Sequence, residues 1–196
     1  MFHKKLYASL VAGVVLTGCA TSGIGDFSSQ DIQKMMQEFE GRVSAQRDAY
    51  PGYPRVGTTY MSFSPDHGFQ VTYYESESRS WLWYGGNDIA LPAEWKLEKK
   101  DVDETGAHQL AGDQTLICWK YGANTYNSST VTTGGKFQCT ALVNALQVTV
   151  SSLDGDPFNL SSGAVPYVRE KCDAPDEFVI QTDTTLYSNV GIEDCM

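Results

Sequence analysis

Five cysteines and four tryptophans carry most of the chemistry that this chain of 196 residues offers. Cys19 follows a basic start with Lys4 and Lys5, an apolar run from Leu6 to Val15, and Leu16-Thr17-Gly18. That order defines a secretory signal, and its apolar part is too short to cross a bilayer core of about 30 Å as a helix. The Cys19 thiol, placed just after such a segment, stands apart from the other four. Setting it aside leaves Cys118, Cys139, Cys172 and Cys195. An even remainder in an exported chain implies two disulfides out of three possible connectivities. Cys118–Cys139 and Cys172–Cys195 are favoured because each closes a short local loop. Metal binding is the competing use of these sulfurs. No Cys-x-x-Cys spacing exists, and His67 and His108 stand far from any ligand cluster in sequence.

The densest aromatic cluster is Trp81-Leu82-Trp83-Tyr84. On a strand Trp81 and Trp83 share one face, with Leu82 and Tyr84 on the other, and Trp95 and Trp119 can join either. Aromatic planes stack on sugar rings, so Trp81, Trp83, Trp95 and Trp119 are the candidate ligand-binding residues. The competing use of the same side chains is to fill a small β core. Asp101-Val102-Asp103-Glu104 and Asp154-Gly155-Asp156 carry oxygen ligands, but neither has the twelve-residue calcium loop with its distal Glu. They read as solvated turns. No Gly-x-Ser-x-Gly elbow is present. His67 sits in a turn and His108 in a polar connection, and either needs a serine beside it in space to act as a base. Gly85-Gly86 and Gly134-Gly135 lack the Lys-Ser/Thr that completes a phosphate loop. The expectation is therefore no catalytic residue, no metal and no cofactor.

Leu16-Thr17-Gly18-Cys19 resembles the lipobox of bacterial lipoproteins. The resemblance implies that the Cys19 thiol receives a diacylglycerol, that a dedicated peptidase cuts before it, and that the new amino terminus is acylated as well. Two or three acyl chains anchor stably where one is marginal. The alternative is an ordinary secretory signal cut near Ala20. Ala20, rather than Asp, leans towards the outer membrane, because an Asp there resembles an inner-membrane retention signal.

These sites need a scaffold, and the rest of the chain describes one. Ala20 to Phe27 is small and flexible, like a tether. Ser28 or Ser29 can cap a helix, with Asp31 in its first turn. Ile32, Met35, Met36, Phe39 and Val43 recur at helical spacing to about Gln46 or Arg47, an apolar stripe expected to pack on the domain or, alternatively, to bind a partner. Tyr50-Pro51-Gly52-Tyr53-Pro54 ends that helix. Period-two runs at Thr58–Phe63 and Phe69–Tyr73 flank the turn Ser64–Gly68, predicting a hairpin. Further strands are predicted at Ser80–Tyr84, Glu94–Lys99, Gln114–Tyr121, Lys136–Val143, Leu146–Leu153 and Phe178–Thr182. The spacing of Phe63 to Phe69, Trp95 and Ile117-Cys118-Trp119 also resembles a group of small uncharacterised proteobacterial exported proteins. That resemblance implies a β meander and no assigned activity.

The predicted fold is mainly β: an antiparallel meander forming a small barrel or sandwich, with one N-terminal amphipathic helix. The predicted organisation is a signal peptide at 1–18, a lipidated tether at 19–27 and one disulfide-stapled domain at 28–196. Within that domain the helix covers about 29–47 and the β part about 56–196. The formal charge is −10, and loss of Lys4 and Lys5 with the signal makes it −12. So acidic a surface repels phosphate backbones, which argues against nucleic acid. It also argues against charge-driven attachment to an anionic leaflet, so membrane contact falls to lipid on Cys19. The expected function is a lipid-anchored envelope lipoprotein, at the outer membrane facing the periplasm or the surface. It is expected to act as a non-enzymatic binding or structural module with an envelope protein or glycan as partner. The alternatives are an inhibitor of a lytic enzyme such as lysozyme, and a cell-wall glycan hydrolase.

Overall fold

The computed structural model describes residues 28–99, 115–127, 131–181, 192 and 195. The signal segment, Cys19, the tether, Asp101–Glu104 and His108 lie outside the described residues.

Helix α1 runs Ser29–Ala49. Ser28 caps it: its hydroxyl accepts from Asp31 N at 3.2 Å, and Asp31 Oδ2 accepts from Ser28 N at 3.0 Å. This reciprocal pair satisfies donors that a helix start leaves open. The Ser28 hydroxyl, which donates to Asp31 Oδ2 at 2.7 Å, and the Ser28 N–H hold the Asp31 carboxyl below its ordinary range. The expected packing of the apolar stripe holds only for the last turns. Val43 and Gln46 are buried, whereas Ile32, Met35 and Met36 are 49%, 55% and 36% exposed. The sheet offers a seat only to the carboxyl end of the helix. There the Gln46 amide donates to Leu146 O at 2.9 Å and Thr149 O at 3.0 Å.

The β part is one antiparallel sheet of seven strands plus a two-stranded ribbon. In chain order the strands are β1 (Thr58–Ser64), β2 (Gly68–Ser76), β3 (Arg79–Tyr84), β4 (Leu91–Lys99), β5 (Thr115–Tyr121), β6 (Tyr126–Asn127), β7 (Thr132–Thr133), β8 (Gln138–Ala141) and β9 (Thr149–Asp154). The large sheet has the order β8-β5-β4-β3-β2-β1-β9, and β6 pairs with β7. The meander β1 to β5 follows the period-two runs. β8 and β9, on opposite edges, are joined by α2 (Leu142–Gln147). Six residues of helix reach only about 9 Å, whereas seven flat strands span roughly 29 Å. The sheet therefore curls into a half-barrel, and α2 bridges its open side.

Two sequence expectations change here. Leu142 and Val143 belong to α2 rather than to a strand, and the following strand begins at Thr149. Residues 178–181 are irregular, although Phe178 packs into the core and Gln181 N donates to Val150 O at 2.8 Å. One backbone bond is not a ladder.

Strand parity sorts the core. The convex face carries Met61, Phe63, Phe69, Val71, Trp81 and Trp83, covered by Phe158, Leu160 and Phe178 from the segment after β9. The concave face carries Tyr60, Tyr74, Trp95 and Ile117, packed against Tyr50, Ala145 and Leu146 at the α1–α2 end. The far half of the convex face is polar. Lys96 and Lys120 lie 4.3 and 5.4 Å from the centre of the Phe137 ring.

Arg169 locks the covering segment down. It is 1% exposed and donates to Phe69 O and Trp83 O at 2.8 Å and to Asp173 O at 2.9 Å. Gly68 allows that close approach. Its φ is +69°, and a Cβ there would stand 2.0 Å from Lys171 O. The disulfides are Cys118–Cys139, between residues directly opposite on β5 and β8, and Cys172–Cys195.

Candidate binding cleft

The concave face is filled at one end and open at the other. The α1–α2 end is plugged by the tyrosine cluster. Beyond it runs a cleft of about 360 Å³, continuous with a smaller hollow of about 140 Å³. His67, Gln70, Leu82, Tyr121, Asn127 and Gln138 line both. Strand register explains the set. Ser62 faces Gln70 across β1–β2, Gln70 faces Tyr84 across β2–β3, and Leu82 faces Leu91 across β3–β4. Trp119 faces Gln138 across β5–β8. The cleft thus reads every second residue of the sheet.

The ribbon β6–β7 forms one wall. Gly134 lets it fold back, because a Cβ there would stand 2.0 Å from Gly122 O. Gln138 ties the wall to the sheet: Thr132 Oγ1 donates to its Oε1 at 3.0 Å, and its Nε2 donates to Thr133 O at 3.1 Å. Tyr126, on β6, is 60% exposed at the rim.

The floor is a chain of phenols. The Tyr53 hydroxyl lies near those of Thr149 and Tyr74, and the Trp119 indole lies near Tyr74. Burial pushes Tyr53 up to about 12 and pushes Tyr74 and Tyr121 well above the ordinary phenol value. Tyr60, whose hydroxyl accepts from Arg55 N at 3.2 Å, is also raised by burial. At neutral pH each is an uncharged donor and acceptor. Gln70, half-buried, makes no side-chain hydrogen bond among the described residues. Among the described residues, no side chain lining either hollow is a carboxylate, a lysine or an arginine.

Of the four candidate tryptophans, only Trp119 meets this cleft. Trp81 and Trp83 are 8% and 0% exposed on the convex side, under the carboxyl-terminal segment. Trp95 is 4% exposed, inside the tyrosine cluster. The indole of Trp81 donates to Glu75 Oε2 at 2.9 Å and that of Trp95 to Ser76 O at 2.8 Å. These three are core residues. Gln70, Tyr84, Tyr121, Asn127 and Gln138 are the residues that sequence reading missed. The signal was the alternation of β2, where Gln70 and Thr72 interleave with the apolar Phe69 and Val71.

Other candidate chemistry is accounted for locally. Asp154 pairs with Arg55, and Asp156 accepts from Leu160 N and Ser161 N at 2.8 and 2.9 Å. Glu98, Cys118 and Cys139 converge within 4.8 Å, but the two sulfurs are bonded to each other and are not thiolate ligands. His67 stands beside Tyr84, ring centres 6.3 Å apart, with no carboxylate among the described lining residues to orient it. No described helix is long and apolar enough to cross a membrane. Comparisons of the chain with family models, with curated proteins and with solved structures found no match.

Proposed function

We propose that the chain is a lipoprotein of the bacterial envelope, anchored through lipid on Cys19 at the outer membrane, whose concave sheet face binds a ligand without transforming it. The observation that carries this reading is the cleft. Its volume falls within the range of small-molecule sites, roughly 300–1,000 Å³, at about 360 Å³. Its walls combine aromatic planes with a few convergent polar groups, the composition that binding sites share. Glycoside hydrolysis needs two carboxylates flanking the bond, and the described lining side chains supply none.

The test uses the full chain in detergent, titrated calorimetrically with a low-molecular-mass extract of its own envelope. Saturable heat, with every compound recovered at unchanged mass, supports the proposal. Turnover of a compound contradicts the non-enzymatic part. For the anchor, Cys19→Ala is expected to abolish labelling by a fatty-acid analogue, and persistent labelling contradicts it.

A further inference from the structure

The chain carries 24 acidic residues and a formal charge of −10. None of those carboxylates is among the described residues that line the cleft. Among the described residues, the cleft of this acidic protein is lined by no carboxylate, lysine or arginine. Beside His67 and the aliphatic Leu82, Leu91 and Val148, the lining carries aromatic rings (Tyr84, Tyr121, Tyr126, Trp119), side-chain amides (Gln70, Asn127, Gln138, Asn144) and hydroxyls (Ser62, Thr72, Thr140).

We infer that the ligand of this cleft is an uncharged oligosaccharide, an inference that rests on the concave face being a binding site. The rings and the amides each match one part of a sugar. The negative face of an aromatic ring attracts the weakly positive C–H edge of a pyranose. A side-chain amide presents a donor and an acceptor side by side, which suits vicinal hydroxyls. Gln70 is the strongest single indication, being half-buried among rings with its amide unmatched among the described residues.

Rival chemistries fit less well. An acyl chain would displace water and strand the Gln70 amide, at a cost of about 1–3 kcal/mol for a buried unmatched group. Among the described lining residues an anion meets no lysine or arginine, and it is repelled by the net charge. A cation finds no carboxylate among them. The two joined hollows, sharing Leu82 and Tyr121, give an elongated site suited to a chain of rings.

The full-length lipidated protein in detergent is titrated with cellotetraose, chitotetraose and maltotetraose. The same titration is run with a galacturonate oligomer, capped tetra-alanine and a C16 fatty acid. The variants are Gln70→Leu in the cleft, Tyr126→Ala at its exposed rim and Lys96→Ala on the opposite face. The inference expects at least one neutral tetrasaccharide to bind saturably, with an affinity unchanged between 50 and 500 mM salt, a range chosen to screen charge–charge attraction. It expects Gln70→Leu and Tyr126→Ala each to weaken that binding at least about tenfold, with unchanged circular dichroism, and Lys96→Ala to leave it alone. Cleft-dependent binding of the acid, the peptide or the fatty acid in place of every sugar overturns the saccharide and keeps the binding site. Binding of no probe, or binding that all three variants leave untouched, overturns both.

Discussion

Arg169 provides the sharpest test of how the two faces of the sheet are kept apart. Its guanidinium lies 4.7 Å from the centre of the Trp83 ring and reaches three backbone carbonyls, two of them on β2 and β3. Burial pulls its pKa from 12.5 down to about 10, with Tyr167 and Asp173 pulling it back up. It therefore stays charged at neutral pH. Replacing it by methionine keeps the stem and removes the donors. Phe69 O and Trp83 O then lose a charged donor, at about 1–3 kcal/mol each, and the ring contact adds up to about 2 kcal/mol. Release of a buried cation offsets part of this, so the net cost is about 4 kcal/mol. The assay is equilibrium urea unfolding followed by tryptophan fluorescence. With a slope of about 2 kcal/mol/M, the midpoint falls by about 2 M. An Arg169→Met midpoint equal to or above that of the parent would refute the reasoning. It would mean that the buried cation is a net cost and that the carboxyl-terminal cover is held by packing alone.

Three further outcomes are expected. Replacing Cys118 and Cys139 together by alanine opens a loop of 21 residues' separation and lowers stability by about 3 kcal/mol, readable as a shifted denaturant midpoint. Gly68→Ala places a Cβ 2.0 Å from Lys171 O at a φ of +69°. It should cost more than the roughly 1 kcal/mol of an ordinary strained turn, and native-state hydrogen exchange should show faster opening at Phe69 and Trp83. Alkaline pH acts through the phenols. A tyrosine whose folded pKa is raised keeps its proton while the unfolded chain releases its own, so stability is full below pH 10 and falls above it. Tyr53, pushed by burial from 10.0 to about 12, accounts for a loss of roughly 3 kcal/mol at most, and Tyr53→Phe should flatten that limb of the stability–pH curve.

How much of this was legible depends on the range of the signal. The hairpin Thr58–Phe63/Phe69–Tyr73 and the pairing of Cys118 with Cys139 follow from local alternation and short loops. Helix α2 did not show, because Leu142-Val143-Asn144-Ala145-Leu146-Gln147 is too short for periodicity to separate helix from strand. Phe178-Val179-Ile180 read as a strand because a short apolar run looks alike in either role, yet Val179 is 77% exposed. The cleft was the least legible feature. Parity puts Trp81 and Trp83 on one face and Leu82 and Tyr84 on the other, but which face stays open is decided elsewhere. Phe158, Leu160 and Arg169 cover the tryptophan side from about 70–90 residues downstream. Only that long-range cover turns the conspicuous tryptophans into core and the modest Gln70 and Tyr84 into a lining.

The most direct measurement is amide chemical-shift mapping of the full-length protein by solution NMR while a bound envelope compound is titrated in. Shifts clustered at Gln70, Leu82, Tyr121 and Gln138, with Glu94, Lys96 and Lys120 unmoved, are the predicted result. Shifts confined to the Lys96–Lys120 face, or to Ile32–Met36 on α1, would contradict the assignment of the concave face as the binding site.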